Sequence, residues 1–264
     1  MSRMHPDGSG VRQGVAVVVT GGTRGIGAGI ARGFLQAGGQ VLVCGRTAPD
    51  SGTLPAAAGR TAVFCQADVR DPDQADRLIR TATDAFGSID VLINNAGGSP
   101  EAAAAAASPR FHQRIIELNL IAPLRVAQNA NAVMQGQQDG GLIIMIGSVS
   151  GTRPSPGTAA YGAAKAGLHH LVTSLAIEWA PRVRLNCVAP GFVQTEAAAG
   201  HYGDAGRVEA IRQTVPLQRM ATPDDVAAAC LFLASPQAAY ISGATIMLHG
   251  GGEPPAFLAA RGSA

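Results

Sequence analysis

The amino-acid sequence predicts a single α/β domain, with helices on both faces of a doubly wound parallel sheet of about seven strands. Short runs rich in β-branched residues alternate with longer runs of helical spacing, and Gly, Pro or Asp separates them. The short runs are apolar throughout, which is typical of strands covered on both faces. At 264 residues, the chain has a length at which α/β folds commonly form one domain.

The predicted elements alternate from the first apolar run to the last. Strands are predicted at residues 15–20, 40–44, 62–66, 91–94, 142–146, 184–188 and 245–248. Helices are predicted at residues 26–36, 73–86, 109–135, 160–179 and 224–233. Because strand–helix–strand connections are right-handed, these helices are expected on both sides of the sheet.

Two segments between these elements look irregular. Residues 102–107 are an alanine run, which we interpret as a helix start or a loop. Residues 196–208 are rich in Gly and Ala, show little periodicity and follow a strand end, where lids over active sites often lie.

Composition and charge exclude several classes of protein. The formal net charge is +2 and no run of like charges occurs, so neither nucleic acid nor an anionic membrane is expected as a partner. The polar N-terminus lacks the apolar core of a signal peptide, and the longest apolar runs are too short to span a bilayer.

Cysteine and histidine spacing gives no sign of a metal site. Cys44, Cys65, Cys187 and Cys230 form no Cys-x-x-Cys pair, and three of them fall in predicted strands. Buried thiols in a reducing compartment are therefore expected, and the predicted location is cytoplasmic. The histidines, including the adjacent His169-His170, lack ligand spacing and are expected to have structural or solvent roles.

A glycine-rich turn joins the first predicted strand to the first helix. Residues 20–27 read Thr-Gly-Gly-Thr-Arg-Gly-Ile-Gly, a TGxxxGxG pattern. Glycine allows a tight turn and close approach of a pyrophosphate, while the helix N-terminus supplies free N–H groups. The pattern predicts a nucleotide-binding turn made by Gly21, Thr23, Arg24, Gly25, Ile26 and Gly27.

A single lysine stands out in a chain that otherwise uses arginine. Of the 20 basic residues, only Lys165 is a lysine, and it follows Tyr161 by four positions in a predicted helix. This spacing puts both side chains on one helix face. An ammonium next to a phenol favours the phenolate, and a tyrosine active near neutral pH needs roughly 4 kcal/mol of such stabilisation. We therefore expect Lys165 to lower the pKa of Tyr161.

Several further motifs give the chain a resemblance to a known family. In order, they are Asp68-Val69, Asn94-Asn95-Ala96-Gly97, Asn119, Ser148, Tyr161-x-x-x-Lys165 and Pro190-Gly191. With the glycine turn they extend over most of the chain, and it resembles the short-chain dehydrogenases/reductases. The resemblance implies a Rossmann-type dinucleotide-binding and catalytic domain over residues 1–264. It also implies hydride transfer between a nicotinamide cofactor and a carbonyl or secondary alcohol.

The resemblance also implies roles for individual residues. Asp68 and Val69 would contact the adenine, residues 94–97 would line the adenosine side, and residues 190–195 would pass the nicotinamide. Asn94 has the alternative of a turn former. The cofactor-binding set implied outside the glycine turn is Asp68, Val69, Asn95, Ala96, Gly97, Tyr161, Lys165, Pro190, Gly191, Val193 and Thr195.

The end of the second predicted strand bears on which nicotinamide cofactor is used. An acidic residue there would bind a ribose 2′-hydroxyl and repel a 2′-phosphate, but the sequence reads Gly45-Arg46-Thr47. Arg46 and Arg24 could bracket a phosphate. We predict NADP(H) in preference to NAD(H), with Arg46 and Thr47 at the ribose; the alternative is that both arginines are ordinary surface charges.

Four residues form the predicted catalytic set. Tyr161 is the general acid/base, and Ser148, thirteen residues earlier, would hydrogen-bond the substrate oxygen, with Ser150 as its competitor. Lys165 would also reach the cofactor ribose. By resemblance, Asn119 would hold a water that links the lysine to solvent; a helix-bending asparagine is its alternative.

Other expectations concern the substrate, the assembly and the chain ends. Residues 98–100, 152–154 and 196–208 and Phe192 would wall the pocket, which suggests an uncharged, bulky carbonyl compound. Arg153 could meet an anionic substrate or be an exposed charge. Residues 1–13 are predicted as a polar arm, 196–214 as a substrate lid and 251–264 as a C-terminal tail. The resemblance implies a homotetramer or homodimer through the helices at 109–135 and 160–179.

Three other functions compete with this interpretation. An epimerase or dehydratase of the broader fold would generally carry a different glycine turn. An enoyl reductase would have its Tyr and Lys further apart. A catalytically silent cofactor-binding or scaffold protein would not need Ser148, Tyr161 and Lys165 together.

Overall fold

The computed structural model describes residues 10–50, 52–196 and 202–254. Most of the predicted N-terminal arm, part of the predicted lid (197–201) and most of the C-terminal tail (255–264) lie outside the described residues.

The strands form one large parallel sheet and one small hairpin. Their bounds are β1 Ala16–Thr20, β2 Gln40–Gly45, β3 Ala56–Ala57, β4 Arg60–Thr61, β5 Val63–Gln66, β6 Val91–Asn94, β7 Gly141–Ile146, β8 Val183–Pro190 and β9 Thr245–Leu248. The seven-stranded sheet has the order β5-β2-β1-β6-β7-β8-β9, and every neighbouring pair is parallel. The predicted fold class is therefore confirmed. The antiparallel hairpin β3–β4 was not predicted.

The helices cover both faces of this sheet. Their bounds are α1 Gly25–Gln36, α2 Pro72–Phe86, α3 Pro109–Ile116, α4 Ala122–Gly136, α5 Ala159–Glu178, α6 Ala205–Thr214 and α7 Pro223–Ala234. A π-helical turn, Glu117–Ile121, joins α3 to α4, and 3₁₀ turns occupy Val149–Gly151 and Pro236–Ala238.

Two local predictions need correction. The predicted helix over 109–135 is interrupted by the π-helical turn around Asn119, whose side chain bonds outside its own helix. The predicted irregularity of residues 196–208 is wrong for 205–208, which begin α6; Asp204 caps this helix by accepting the Arg207 N–H at 2.9 Å. Of the two alternatives for residues 102–107, the loop is found, because α3 begins only at Pro109.

Two apolar cores account for strands without polar alternation. In β1, Val18 packs with the core under α2, α4 and α5, whereas Val17 and Val19 face the core under α1 and α7. Each of these three valines is 0% exposed, and full burial of such a side chain contributes about 1.5–3 kcal/mol. The central strands are therefore held from both sides, and the loops at their ends have a rigid base.

The four cysteines occupy buried positions and are free thiols, as the sequence predicts. Burial raises the pKa of Cys44 to about 12 and that of Cys187 to about 11. Cys44 and Cys187 are therefore protonated at neutral pH and act as small apolar side chains.

The strand order reverses beside β1, which has β2 on one side and β6 on the other. In open α/β sheets, ligands bind where the carboxyl ends of strands meet at such a point. A ligand-binding site is therefore expected at the residues that follow β1, β6, β7 and β8. No helix in the described ranges has the length and apolar character that a membrane crossing requires.

Candidate active site

The glycine turn after β1 is held in place by the loop after β6. The Asn95 side-chain amide donates to the carbonyls of Thr20 at 2.9 Å and Gly21 at 3.1 Å. In return, the Thr20 hydroxyl accepts the backbone N–H groups of Asn95 and Ala96, both at 2.9 Å. A Cβ on Gly27 would lie 2.4 Å from the Gly21 carbonyl oxygen, so only glycine fits there. These contacts fix the backbone conformation of the glycine turn.

The N-terminus of α1 binds the carboxylate of a glutamate from the same chain. The Gly25 N–H, with φ of 54°, donates to a carboxylate oxygen of Glu196 at 3.2 Å. Thr195 lies alongside, because a Cβ on Gly25 would be 3.6 Å from its Cγ2. Free N–H groups and the helix dipole favour negative charge at this position. The residues present therefore fit a dinucleotide pyrophosphate.

Exposed charges surround the ends of the glycine turn and of β2, where a cofactor ribose is expected. Arg24, Arg46 and Thr47 are exposed at the ends of the glycine turn and β2. Arg70 binds both carboxylate oxygens of Asp68, and this hydrogen bonding holds the pKa of Asp68 below its ordinary value, with a smaller effect from nearby Arg46. Arg70 belongs to none of the motifs recognised in the sequence, although Asp-Val-Arg places it two residues after the aspartate. Val69 between them is buried.

Tyr161, Ser148 and Lys165 come together at the carboxyl end of β7. The Tyr161 phenol hydrogen-bonds the Ser148 hydroxyl. The Lys165 Nζ lies 5.7 Å from the centroid of the Tyr161 ring and donates to the Ile146 carbonyl at 2.8 Å. Ser150 donates its backbone N–H to the Ser148 Oγ at 3.1 Å. This geometry favours Ser148 over Ser150 as the partner of the phenol.

The pKa values differ from the expected lowering at Tyr161. In the protein alone, burial is the largest influence and raises the pKa of Tyr161; the Ser148 hydrogen bond opposes this, and neighbouring Tyr202 adds to it. The pKa of Lys165 is itself lowered to about 8, because its ammonium is desolvated by burial. In the protein alone, burial therefore outweighs any lowering of the phenol pKa, and the lowering expected from Lys165 stays a prediction for the complex with bound nicotinamide.

Asn119 is fully buried in the π-helical turn. Its Oδ1 accepts the Gly98 N–H at 2.8 Å, and its Nδ2 donates to the carbonyls of Gly98 and Ile115, each at 2.9 Å. A Cβ on Gly97 would lie 2.8 Å from the Asn119 Oδ1 and 3.4 Å from the Lys165 Nζ. Asn119 thus bonds back within its helix and also fixes the loop that passes Lys165.

The segment after β8 closes this region with aromatic side chains. Pro190 and Gly191 end the strand, and Val193 is buried and bridges to Ala221. The rings of Phe192 and Tyr202 meet edge to face at 5.8 Å. Tyr202 lies in residues 196–208, the predicted pocket wall, but an aromatic in an aperiodic segment gives no positional signal that would single it out.

Arg153 follows the serine loop, residues 147–151, and its guanidinium forms an ion pair. Its guanidinium lies 2.7 Å from a carboxylate oxygen of Glu253. The positive charge that could meet an anionic substrate is therefore compensated within the chain. In the described parts of the chain, no three His, Cys, Asp or Glu side chains cluster as a metal site would need.

Comparisons with known proteins cover most of the chain. A family model described as Enoyl-(Acyl carrier protein) reductase matches residues 21–253. The chain is 35% identical over 244 residues to L-rhamnose 1-dehydrogenase (NAD(P)(+)) of Azotobacter vinelandii, covering 89% of this chain and 95% of the relative. It is 36% identical over 244 residues to 3-oxoacyl-(acyl-carrier-protein) reductase of Vibrio cholerae serotype O1, covering 90% and 97%.

A solved structure agrees with these matches. The ligand-free aldohexose dehydrogenase of Thermoplasma acidophilum superposes with a TM-score of 0.82 at 31% identity, covering 90% of this chain and 94% of the other.

Proposed function

Because the chain belongs to the short-chain dehydrogenase/reductase family of oxidoreductases, which act on CH–OH and C=O groups with NAD(P), we propose that it is an NADP(H)-dependent reductase or dehydrogenase with Tyr161 as general acid/base. One observation carries this proposal. The phenol of Tyr161, the Ser148 hydroxyl and the Lys165 ammonium converge at the carboxyl end of the sheet.

The reacting oxygen is handled by Ser148 and Tyr161. When bound, the nicotinamide supplies a hydride to a carbonyl carbon or accepts one from an alcohol carbon. The Ser148 hydroxyl donates a hydrogen bond to the substrate oxygen, and Tyr161 donates a proton to it in reduction. The raised pKa of Tyr161 keeps the phenol protonated at neutral pH, which suits reduction. In the oxidative direction the phenolate accepts the alcohol proton.

Lys165 and Asn119 support this proton transfer. One donor of the Lys165 ammonium is used by the Ile146 carbonyl, and the remaining donors are available for the cofactor ribose. Asn119 fixes the loop at Gly98 beside the lysine, and we assign to it the water that connects Lys165 to solvent. Positive charge from Lys165 and an oxidised nicotinamide ring would stabilise the phenolate.

The NADP(H) preference rests on the charges at the ribose end of the groove. Arg46 and Arg24 are exposed there, and no acidic residue stands at the tip of β2. The carboxylate of Asp68, which feels the charge of Arg46, is paired with Arg70. A 2′-phosphate would therefore meet cations that can bind it with charge-assisted hydrogen bonds.

The remaining contacts to the cofactor are assigned by family resemblance and position. The glycine turn holds the pyrophosphate, Asp68 and Val69 the adenine, and Val193 and Thr195 the nicotinamide carboxamide. The other assigned contacts are Thr47, Asn95, Ala96, Gly97, Pro190 and Gly191.

The substrate proposed is an uncharged, bulky carbonyl compound or secondary alcohol. The rings of Phe192 and Tyr202 give the pocket an apolar wall, and the charge of Arg153 is taken up by Glu253. The description of the matching family model names an enoyl reductase, but the four-residue spacing of Tyr161 and Lys165 favours carbonyl chemistry.

We further propose a single catalytic domain that works in the cytoplasm as a homotetramer or homodimer, with residues 196–214 as its lid. The helices assigned to the subunit contact are α3, α4 and α5. Ile121, in the turn between α3 and α4, and Ile177, on α5, are 36% and 80% exposed, which supports an apolar contact between copies.

An absorbance assay tests the proposed function. Purified protein is mixed with NADPH or NADH and a panel of cyclic ketones, aliphatic ketones, 3-oxoacyl thioesters and aldoses, and loss of the reduced nicotinamide band is followed. We expect turnover with at least one carbonyl and a higher kcat/KM with NADPH. Cofactor binding without turnover across the panel would support the silent cofactor-binding alternative, and equal or better efficiency with NADH would overturn the cofactor preference.

A further inference from the structure

His169 lies on the same face of α5 as Tyr161 and Lys165. The three residues follow one another at intervals of four, which aligns their side chains along one helix surface. From sequence, His169 has only the expectation of a structural or solvent role. In the structure its half-buried imidazole points to the loop that carries Ser148.

The imidazole fills the space beneath the serine loop. Its Nε2 accepts the backbone N–H of Ser148 at 3.4 Å. A Cβ on Gly147 would lie 2.4 Å from this Nε2, and a Cβ on Gly151 would lie 2.9 Å from the Cε1. Both glycines that flank the loop are therefore in contact with the ring. The absence of side chains at Gly147 and Gly151 is what lets the imidazole reach the backbone of Ser148.

Two residues of α5 hold the backbone on either side of Gly147. Lys165 donates to the carbonyl oxygen of Ile146 at 2.8 Å, and His169 accepts the N–H of Ser148. The Ser148 hydroxyl then meets the Tyr161 phenol. Residues on one face of α5 thus fix the backbone that leads into Ser148 and also supply the hydrogen-bond partner of its hydroxyl.

The contact requires a neutral imidazole. An Nε2 that accepts an N–H carries no proton, so the ring proton is on Nδ1. Burial, followed by the positive charge of Lys165, lowers the pKa of His169. Among the described residues, the titratable groups facing the ring region are Lys165 on α5 and, beside Gly147, Cys187 on β8, whose thiol is protonated at neutral pH.

We propose that His169 is a positioning residue whose neutral imidazole fixes the backbone of Ser148 and thereby aims its hydroxyl at the substrate oxygen. The proposal rests on the function proposed above, in which Ser148 binds that oxygen. Protonation of the imidazole removes the acceptor and places a second cation near Lys165. The serine loop is therefore released as the pH falls through the lowered pKa of His169.

Three variants separate positioning from general packing. His169→Leu fills the space but cannot accept a hydrogen bond, whereas His169→Gln offers a carbonyl oxygen near the position of Nε2 and does not titrate. The exposed neighbour supplies the matched control, His170→Leu. Loss of one such hydrogen bond predicts a kcat about tenfold lower in His169→Leu, with the cofactor KM little changed. His169→Gln should regain most of this kcat, and the control should match wild type.

The pH profile and amide exchange complete the test. Wild-type kcat should decline on the acid side with the titration of His169, and His169→Gln should lose this decline. Hydrogen exchange at the Ser148 amide should be faster in His169→Leu and unchanged in His170→Leu.

Because exchange needs no turnover, it tests the contact even if the wild type reduces no carbonyl, an outcome that would count against the proposed function alone. If His169→Leu does not fold, the pH profile and exchange of His169→Gln decide the matter. The proposal is overturned by wild-type kcat and exchange in His169→Leu, or by an unchanged acid limb in His169→Gln.

Discussion

The proton-transfer region and the ribose end of the proposed cofactor groove are built in opposite ways. Lys165 is 4% exposed and Asn119 0% exposed, and each is held by hydrogen bonds to backbone groups of other elements. Arg24 and Arg46 are exposed to solvent. A buried, hydrogen-bonded group has one position and a large effect, whereas an exposed charge is screened and has a small one. Substitutions should therefore affect chemistry steeply at the first region and cofactor choice mildly at the second.

Among substitutions that keep the Tyr161 phenol, Lys165→Arg should have the largest effect. A guanidinium cannot take the place of an ammonium that fits between the Ile146 carbonyl and Gly97, so the proton-transfer geometry is lost. We expect kcat to fall roughly a thousandfold, within the range that positioned proton transfer contributes. Steady-state kinetics would measure it, with the exposed Arg80→Lys as control. Wild-type kcat in Lys165→Arg would show that charge alone is sufficient.

Asn119→Leu should destabilise the protein. The substitution removes the three hydrogen bonds of the buried Asn119 side chain, two with the backbone of Gly98 and one with the Ile115 carbonyl, at a cost of about 3 kcal/mol in the free energy of unfolding. Urea denaturation measures this loss. Asn131→Leu, which removes only an exposed hydrogen bond to Gln135, is the matched control. Equal stability of the two variants would mean that the π-helical turn does not depend on Asn119.

Arg46→Ala tests the exposed region, the ribose end of the proposed cofactor groove. Loss of one charge-assisted contact to a 2′-phosphate should lower kcat/KM for NADPH about tenfold and leave the value for NADH nearly unchanged. The difference between wild type and variant should shrink at high salt, because both groups face solvent. An equal loss with both cofactors would assign Arg46 to general binding instead of phosphate recognition.

The smallest expected effect is on stability against pH. The pKa of Lys165 is about 8 in the folded protein, against an ordinary value of 10.5. Above the folded pKa the unfolded chain binds more protons at this residue, so stability from Lys165 rises with pH, by about 1 kcal/mol between pH ~8 and pH ~9. Denaturation of wild type and Lys165→Met at both pH values isolates this contribution. An identical pH dependence in the two proteins would place the lysine in solvent.

The fold was predictable because its signals are local and repeated. The strands Val91–Asn94 and Thr245–Leu248 have the predicted bounds, since apolar runs between Gly, Pro and Asp leave little choice. The π-helical turn at Asn119 was not predictable from the sequence, because it depends on a contact with Gly98, 21 residues away. Helix α6 was missed because few of its residues are apolar and none is buried.

The site was predictable to the extent that it depends on spacing. The four-residue spacing of Tyr161 and Lys165 fixes their shared helix face, and this needs no knowledge of tertiary structure. The raised pKa of Tyr161 in the protein alone is set by burial, which residue spacing does not reveal, and neighbours such as Tyr202 come from a segment without periodicity. His169 bonds to the loop at Ser148 and Arg70 to a side chain two residues away; neither belongs to a recognised motif, so the sequence gave them no specific role.

The central claim is that the half-buried phenol of Tyr161, and not the surrounding binding surface, carries the proton-transfer step. The rate constant for a single turnover of enzyme-bound NADPH with a reactive carbonyl, at saturating cofactor, tests it in Tyr161→Phe. The predicted result is a decrease of at least about a thousandfold with NADPH affinity retained. A rate constant within about threefold of wild type would contradict the claim, because removal of a proton donor in the reacting position costs far more than that.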